Sequence, residues 1–196
     1  MRKYELTEET KTLADGTVLH RIRAVKDFAL ADGTEVLAGD LGGWIEKEYN
    51  LSHGGDAWVY GDAWVYGDAE VYGYAEVYGD ARVYGDALVY GDARVYGDAR
   101  VYGHAEVYGD AEVCGSAEVK SIRDYAVFKN GWSSGRWFTY TRSDRKWKVG
   151  CFHGTGEELI AKAYEDSELS GKCYETIVRA QEAIDKAIEA EKGETK

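Results

Sequence analysis

Between residues 57 and 119 the chain writes Ala-x-Val eleven times at a spacing of six, in runs such as "GDAWVYGDAWVYGDAEVYGYAEVYGDARVY". A six-residue period is too short for a helical hairpin. Within each unit Ala and Val stand two apart and share one side of an extended segment, with the variable residue and Tyr on the other. Gly-Asp follows, where Gly gives the backbone freedom of a corner and Asp bonds nearby amides. One hexad cannot bury its own Ala and Val. Stacked hexads can, so the pattern predicts a solenoid.

The order Val-Tyr-Gly-Asp-Ala-x is similar to the hexapeptide repeat of left-handed parallel β-helices. The resemblance implies three hexads per triangular coil, so that residues eighteen apart stack. The variable slot then forms three columns: Trp58, Glu76, Arg94 and Glu112; Trp64, Arg82, Arg100 and Glu118; Glu70, Leu88 and Glu106. Tyrosines 60, 78 and 96 stack, as do 66, 84 and 102, and 72, 90 and 108. These ring ladders either stabilise the solenoid or give one side an aromatic oligomer interface. The looser pieces "AVKDF" and "LGGWIE" are expected to add coils at the N-terminal end. "DYAVF" is read as a last remnant of the repeat.

After the repeat, "RWFTYTR" and "KWKVGCF" read as two strands joined by "SDR". "TGEE" is a capping box with Thr155 as N-cap and Glu158 three residues on. A second helix is expected over roughly 171–191, with Tyr174, Ile177, Val178, Ile184 and Ile188 on one face. The predicted fold is mainly β. Residues 1–53 form an N-terminal cap and irregular first coils, 54–128 a left-handed parallel β-helix, and 129–196 a β-hairpin plus two-helix cap. That cap closes a strand edge that would otherwise recruit other chains.

Charge is uneven. The net value is −12, yet residues 54–119 hold 13 acidic and 3 basic side chains and residues 120–149 hold 2 and 8. The total makes sequence-independent nucleic-acid binding unfavourable. No apolar run is long enough for a bilayer, and "MRKYELTEETK" is not a signal peptide. Three scattered cysteines, Cys114, Cys151 and Cys173, give no disulfide framework or metal spacing, which fits a reducing cytosol.

The basic segment interleaves aromatic and cationic residues: Trp132, Arg136, Trp137, Arg142, Arg145, Lys146, Trp147 and Lys148, with His153 close behind. Such a set can stack a ring and pair an anion, dock on an acidic repeat, or pack as a half-buried hairpin. Similarity to the hexapeptide family also implies an acyltransferase reading, with a general-base His. His104 is the one histidine in the repeat, at a corner otherwise held by Asp, and Asp86 is its stacking neighbour. No loop interrupts the hexads to build a substrate cleft. No two histidines have metal-ligand spacing. The corner Asp62, Asp80 and Asp98 could hold a cation but are also ordinary turn residues. Cys151 and His153 share a strand face by parity, without an orienting acid.

The opening "KDFALADGTEVLAGDLGGWIEKEYNLSHGGDAWVYGDA" and the ending "GCFHGTGEEL" with its acidic helix resemble hexapeptide-repeat proteins of bacteriophages and prophages. That resemblance implies a cytoplasmic accessory protein in a bacterial host. The expected function is non-enzymatic binding or inhibition of a host protein, such as one of its immune defence, through the acidic rod and the Trp/Arg/Lys surface. A nucleotide-like anion held at a subunit interface is the alternative. No cofactor is expected, and a homo-oligomer is.

Overall fold

The computed structural model describes residues 2–194. Chain order begins with β1 (Tyr4–Thr12), β2 (Val18–Ala24), β3 (Phe28–Ala29), β4 (Glu35–Val36) and β5 (Leu41–Ile45). Eleven two-residue strands follow at six-residue intervals, β6 (Trp58–Val59) through β16 (Glu118–Val119). Then come β17 (Tyr125–Lys129), β18 (Trp137–Thr141), β19 (Lys146–Val149), β20 (Phe152–Gly154), α1 (Gly156–Asp166) and α2 (Glu168–Glu194).

The short strands pair in parallel with partners eighteen residues away. The first side of the solenoid is β6-β9-β12-β15, the second β7-β10-β13-β16, and the third β8-β11-β14. Three hexads therefore make one layer. Every repeat Ala and Val from Ala57 to Val119 is 0% exposed. Burying each valine contributes on the order of 1.5–3 kcal/mol. The corners need glycine: Gly79 sits at φ +71°, and a Cβ there would lie 3.0 Å from the Gly97 nitrogen. Tyrosine rings stack at 4.8–5.3 Å between centroids in all three expected ladders.

The ladder has a direction. The N–H of each outward strand residue donates to the carbonyl seventeen residues on, as Trp58 does to Ala75 at 3.0 Å. The first coil therefore presents bare carbonyls and the last coil bare N–H groups. Donors cover the first end. Lys3 Nζ reaches Ala57 O at 2.6 Å, Asn50 Nδ2 reaches Ala69 O at 2.8 Å, and the Trp44 N–H reaches Ala63 O at 2.9 Å. Acceptors cover the second. Thr139 Oγ1 takes the Glu112 N–H at 2.9 Å and Ser143 Oγ the Glu118 N–H at 2.7 Å. A bare polar edge is costly, and each cap matches the polarity of its end.

"LGGWIE" joins the stack as β5, parallel to β7. "AVKDF" does not add a coil; it leads into the β3–β4 hairpin, whose Phe28 packs edge-on against Trp58 at 5.3 Å. "DYAVF" pairs antiparallel with β18, so it opens the C-terminal sheet β17-β18-β19-β20. One face of that sheet packs α1 and α2 through Phe138, Tyr140, Trp147, Leu159, Tyr174 and Val178. Thr139 and Lys148 on the opposite face meet the last coil. α2 differs from its expected face: Ile184 is half-exposed, while Gln181 and Asp185 are buried. Tyr140 and Arg142 both bond Asp185, and these polar contacts set the helix rotation.

Candidate functional site

The nine candidate residues of the basic segment do not form one surface. Trp147 is 2% exposed, in the core beneath the helices. Trp132 packs edge-on against Tyr174 at 5.0 Å, with its indole nitrogen buried and unpaired. Arg142 holds Asp185 at 3.0 Å, and Arg145 holds Glu189 at 2.6 Å. Lys148 turns inward to Glu112 at 3.6 Å. His153 lies against Gly115, and partial burial, with Lys146 and Lys148 nearby, lowers its proton affinity. Cys151 sits in the preceding turn and lines a different pocket with Phe152 and Leu159, so the two do not form a nucleophile pair. Arg142 and Arg145 thus tie α2 to the sheet inside the C-terminal domain, and Lys148 pairs with the solenoid.

Arg136 and Trp137 remain outward. They wall a groove of about 320 Å³ whose other wall is Ala31, in the β3–β4 turn. Its floor is the first side of the solenoid, with Arg94 and Glu112, edged by the corner residues Asp92 and Asp110. Glu76 lies behind Arg94, one layer up, and is 1% exposed. Its Oε2 accepts from the Tyr60 hydroxyl at 2.9 Å, while Oε1 faces Arg94 Nε at 3.4 Å without a hydrogen bond. Glu112 accepts from Tyr96 OH at 3.1 Å. The column Glu76–Arg94–Glu112 reads in sequence as a register ladder. Its part in a groove depends on the β3–β4 hairpin and the C-terminal sheet, which the repeat does not announce.

The third side differs from the other two. All three repeat arginines, Arg82, Arg94 and Arg100, fall on the first and second sides. The third carries Glu70, Leu88 and Glu106 in one column beside stacked Tyr72, Tyr90 and Tyr108. Glu70, Glu106 and Tyr108 are exposed. At the next corner His104 Nδ1 lies 3.4 Å from Asp86 Oδ2, both largely in solvent. Among the described residues no group of three or more His, Cys, Asp or Glu is arranged to hold a metal ion. Nor is any helix among them long and apolar enough to cross a membrane.

Residues 75–91, 81–97, 87–103 and 93–109 match the family described as the YdcK beta solenoid repeat. The matched residues lie within the parallel coils of eighteen residues. The chain is a β-solenoid repeat protein. Over 67 residues it is 40% identical to a protein named "Uncharacterized acetyltransferase YdcK" from Escherichia coli (strain K12). That similarity covers 31% of this chain and 19% of the relative, so the β-solenoid protein spans only a small part of its length.

Proposed function

We propose that this protein is a non-enzymatic binding protein whose contact surface is the third side of the solenoid. One observation carries this reading: Glu70, Leu88 and Glu106 form a cation-free column beside a tyrosine ladder on a rigid backbone. Acidic corners flank it, with Asp68 and Asp86 on one edge and Asp56, Asp92 and Asp110 on the other. Carboxylates beside tyrosine hydroxyls and ring edges suit basic side chains, which pair with the first and lie along the second. The partner is therefore a basic protein surface. The resemblance of both chain ends to phage-type proteins supports a host factor as that partner. The test is a pull-down from bacterial lysate with wild type and a Glu70→Lys, Leu88→Lys, Glu106→Lys triple variant. All three side chains point away from the core, and circular dichroism checks that the variant keeps its fold. Loss of the recovered protein in the variant supports the proposal; undiminished recovery contradicts it.

A second reading, acetyl transfer, is favoured by the name of the Escherichia coli relative and by the His104–Asp86 pair at 3.4 Å. The coils run from Ala57 to Val119 without an excursion that would enclose an acyl donor. Turnover of acetyl-coenzyme A that disappears in His104→Ala would replace the binding reading.

A further inference from the structure

The groove between the β3–β4 turn and the C-terminal sheet holds charges of both signs that have no partner. Arg136 is exposed, and its guanidinium makes no hydrogen bond or ion pair among the described residues. Arg94 Nε lies 3.4 Å from Glu76 Oε1, and the side chain lines the groove without a hydrogen bond. Across from them Asp92 and Asp110 occupy the same corner one layer apart, roughly 4.8 Å at β-sheet spacing, and neither carboxylate is paired among the described residues. Trp137 is 40% exposed and has Lys129 Nζ over its ring at 5.0 Å. Glu112, the remaining acid, is already engaged by Tyr96 and Lys148.

This pattern selects a ligand class. Two guanidiniums converging on one space match a carboxylate, which accepts their N–H groups in a fork. Two adjacent unpaired carboxylates match an ammonium. The same carboxylates repel a polyphosphate, whose several charges the two arginines cannot balance. An exposed indole at the rim offers a flat apolar contact. The volume, about 320 Å³, is at the small end for organic ligands. We propose that the groove binds a free aromatic α-amino acid, with its carboxylate on Arg94 and Arg136, its ammonium on Asp92 and Asp110, and its ring against Trp137. Glu76 is a positioning residue. Buried behind Arg94, it fixes the guanidinium from the side away from the ligand. Asp92 and Asp110 also border the protein-contact surface, but Arg94, Arg136 and Trp137 do not, so Arg136→Ala tests this site without altering that surface.

The test is calorimetric titration of the full chain with L-phenylalanine and L-tryptophan. Phenylacetate, which lacks the ammonium, phenethylamine, which lacks the carboxylate, and ADP-ribose, a polyanion, are titrated in parallel. The amino acids are expected to bind, and each truncated analogue to lose about tenfold or more, the loss of one charge-assisted contact. Arg136→Ala removes an exposed side chain without disturbing the fold, and it should abolish binding of the amino acids. Asp92→Asn with Asp110→Asn should weaken the amino acids while leaving phenylacetate unchanged or tighter. No heat with either amino acid up to about 10 mM, an affinity at which one good contact already shows, would overturn the proposal. So would tighter binding of ADP-ribose, or unchanged binding in Arg136→Ala.

Discussion

Lys3 donates its ammonium to the carbonyl oxygen of Ala57 across 2.6 Å and to that of Gly55 across 3.2 Å, at the end of the solenoid where bare carbonyls collect. It is fully buried, and burial pulls its pKa from the usual 10.5 down to about 8. Below about 8 both folded and unfolded chains carry the proton, and the burial cost is fully present. Between about 8 and 10.5 the folded chain releases it while the unfolded chain keeps it, so stability rises with pH. Denaturant titrations at pH 7, 9 and 10 should show the wild type gaining on Lys3→Met over that window. A constant difference would mean that Lys3 is hydrated.

Cys114 takes the place where the ladder Tyr60, Tyr78, Tyr96 would set its next tyrosine. It is 5% exposed and close to Tyr96 and Lys148. The smaller side chain leaves room for the C-terminal sheet. Cys114→Tyr restores the repeat but should destabilise the protein by about 1–3 kcal/mol through overpacking. Faster proteolysis within 129–149 would show that the docked sheet has loosened. A stable variant with unchanged proteolysis would show that the sheet does not rest there.

Asp185 joins α2 to the sheet through Arg142 Nε at 3.0 Å, Gln181 Nε2 at 2.8 Å and the Tyr140 hydroxyl. Burial alone would raise its pKa, but these hydrogen bonds outweigh it and hold the carboxyl below its usual 3.8. The stabilisation is complete above pH 3.8 and disappears as pH falls through the lower folded value. Asp185→Ala should cost about 1–3 kcal/mol at neutral pH, because it takes the acceptor from the buried Tyr140 hydroxyl and Gln181 amide and the acid from the partly buried Arg142. Its unfolding curve should also lose the acid-dependent component seen in the wild type.

The solenoid was legible because its period is written in every hexad, and the eighteen-residue register placed each column correctly. The N-terminal hairpins were also written, in the two "LADGT" segments at 13–17 and 30–34. In each, the Asp carboxylate accepts the Thr N–H two residues on, Asp15 from Thr17 and Asp32 from Thr34, both at 2.9 Å. An Asp-Gly turn signals a hairpin, a weaker mark than the repeat because it is written only twice. The groove was not legible. It joins Ala31, Arg94 and Arg136, which are far apart in sequence and meet only because both caps fold back along the first side. Composition also could not separate cations that dock inward, such as Lys148, from one that stays free, such as Arg136.

Hydroxyl-radical footprinting of the complex with its recovered partner tests the binding account most directly. Oxidation of Leu88, Tyr90 and Tyr108 should fall on complex formation, while Trp137 stays as reactive as in the free protein. Protection confined to Trp137 and its neighbours in the C-terminal sheet, with the tyrosine ladder unchanged, would contradict it.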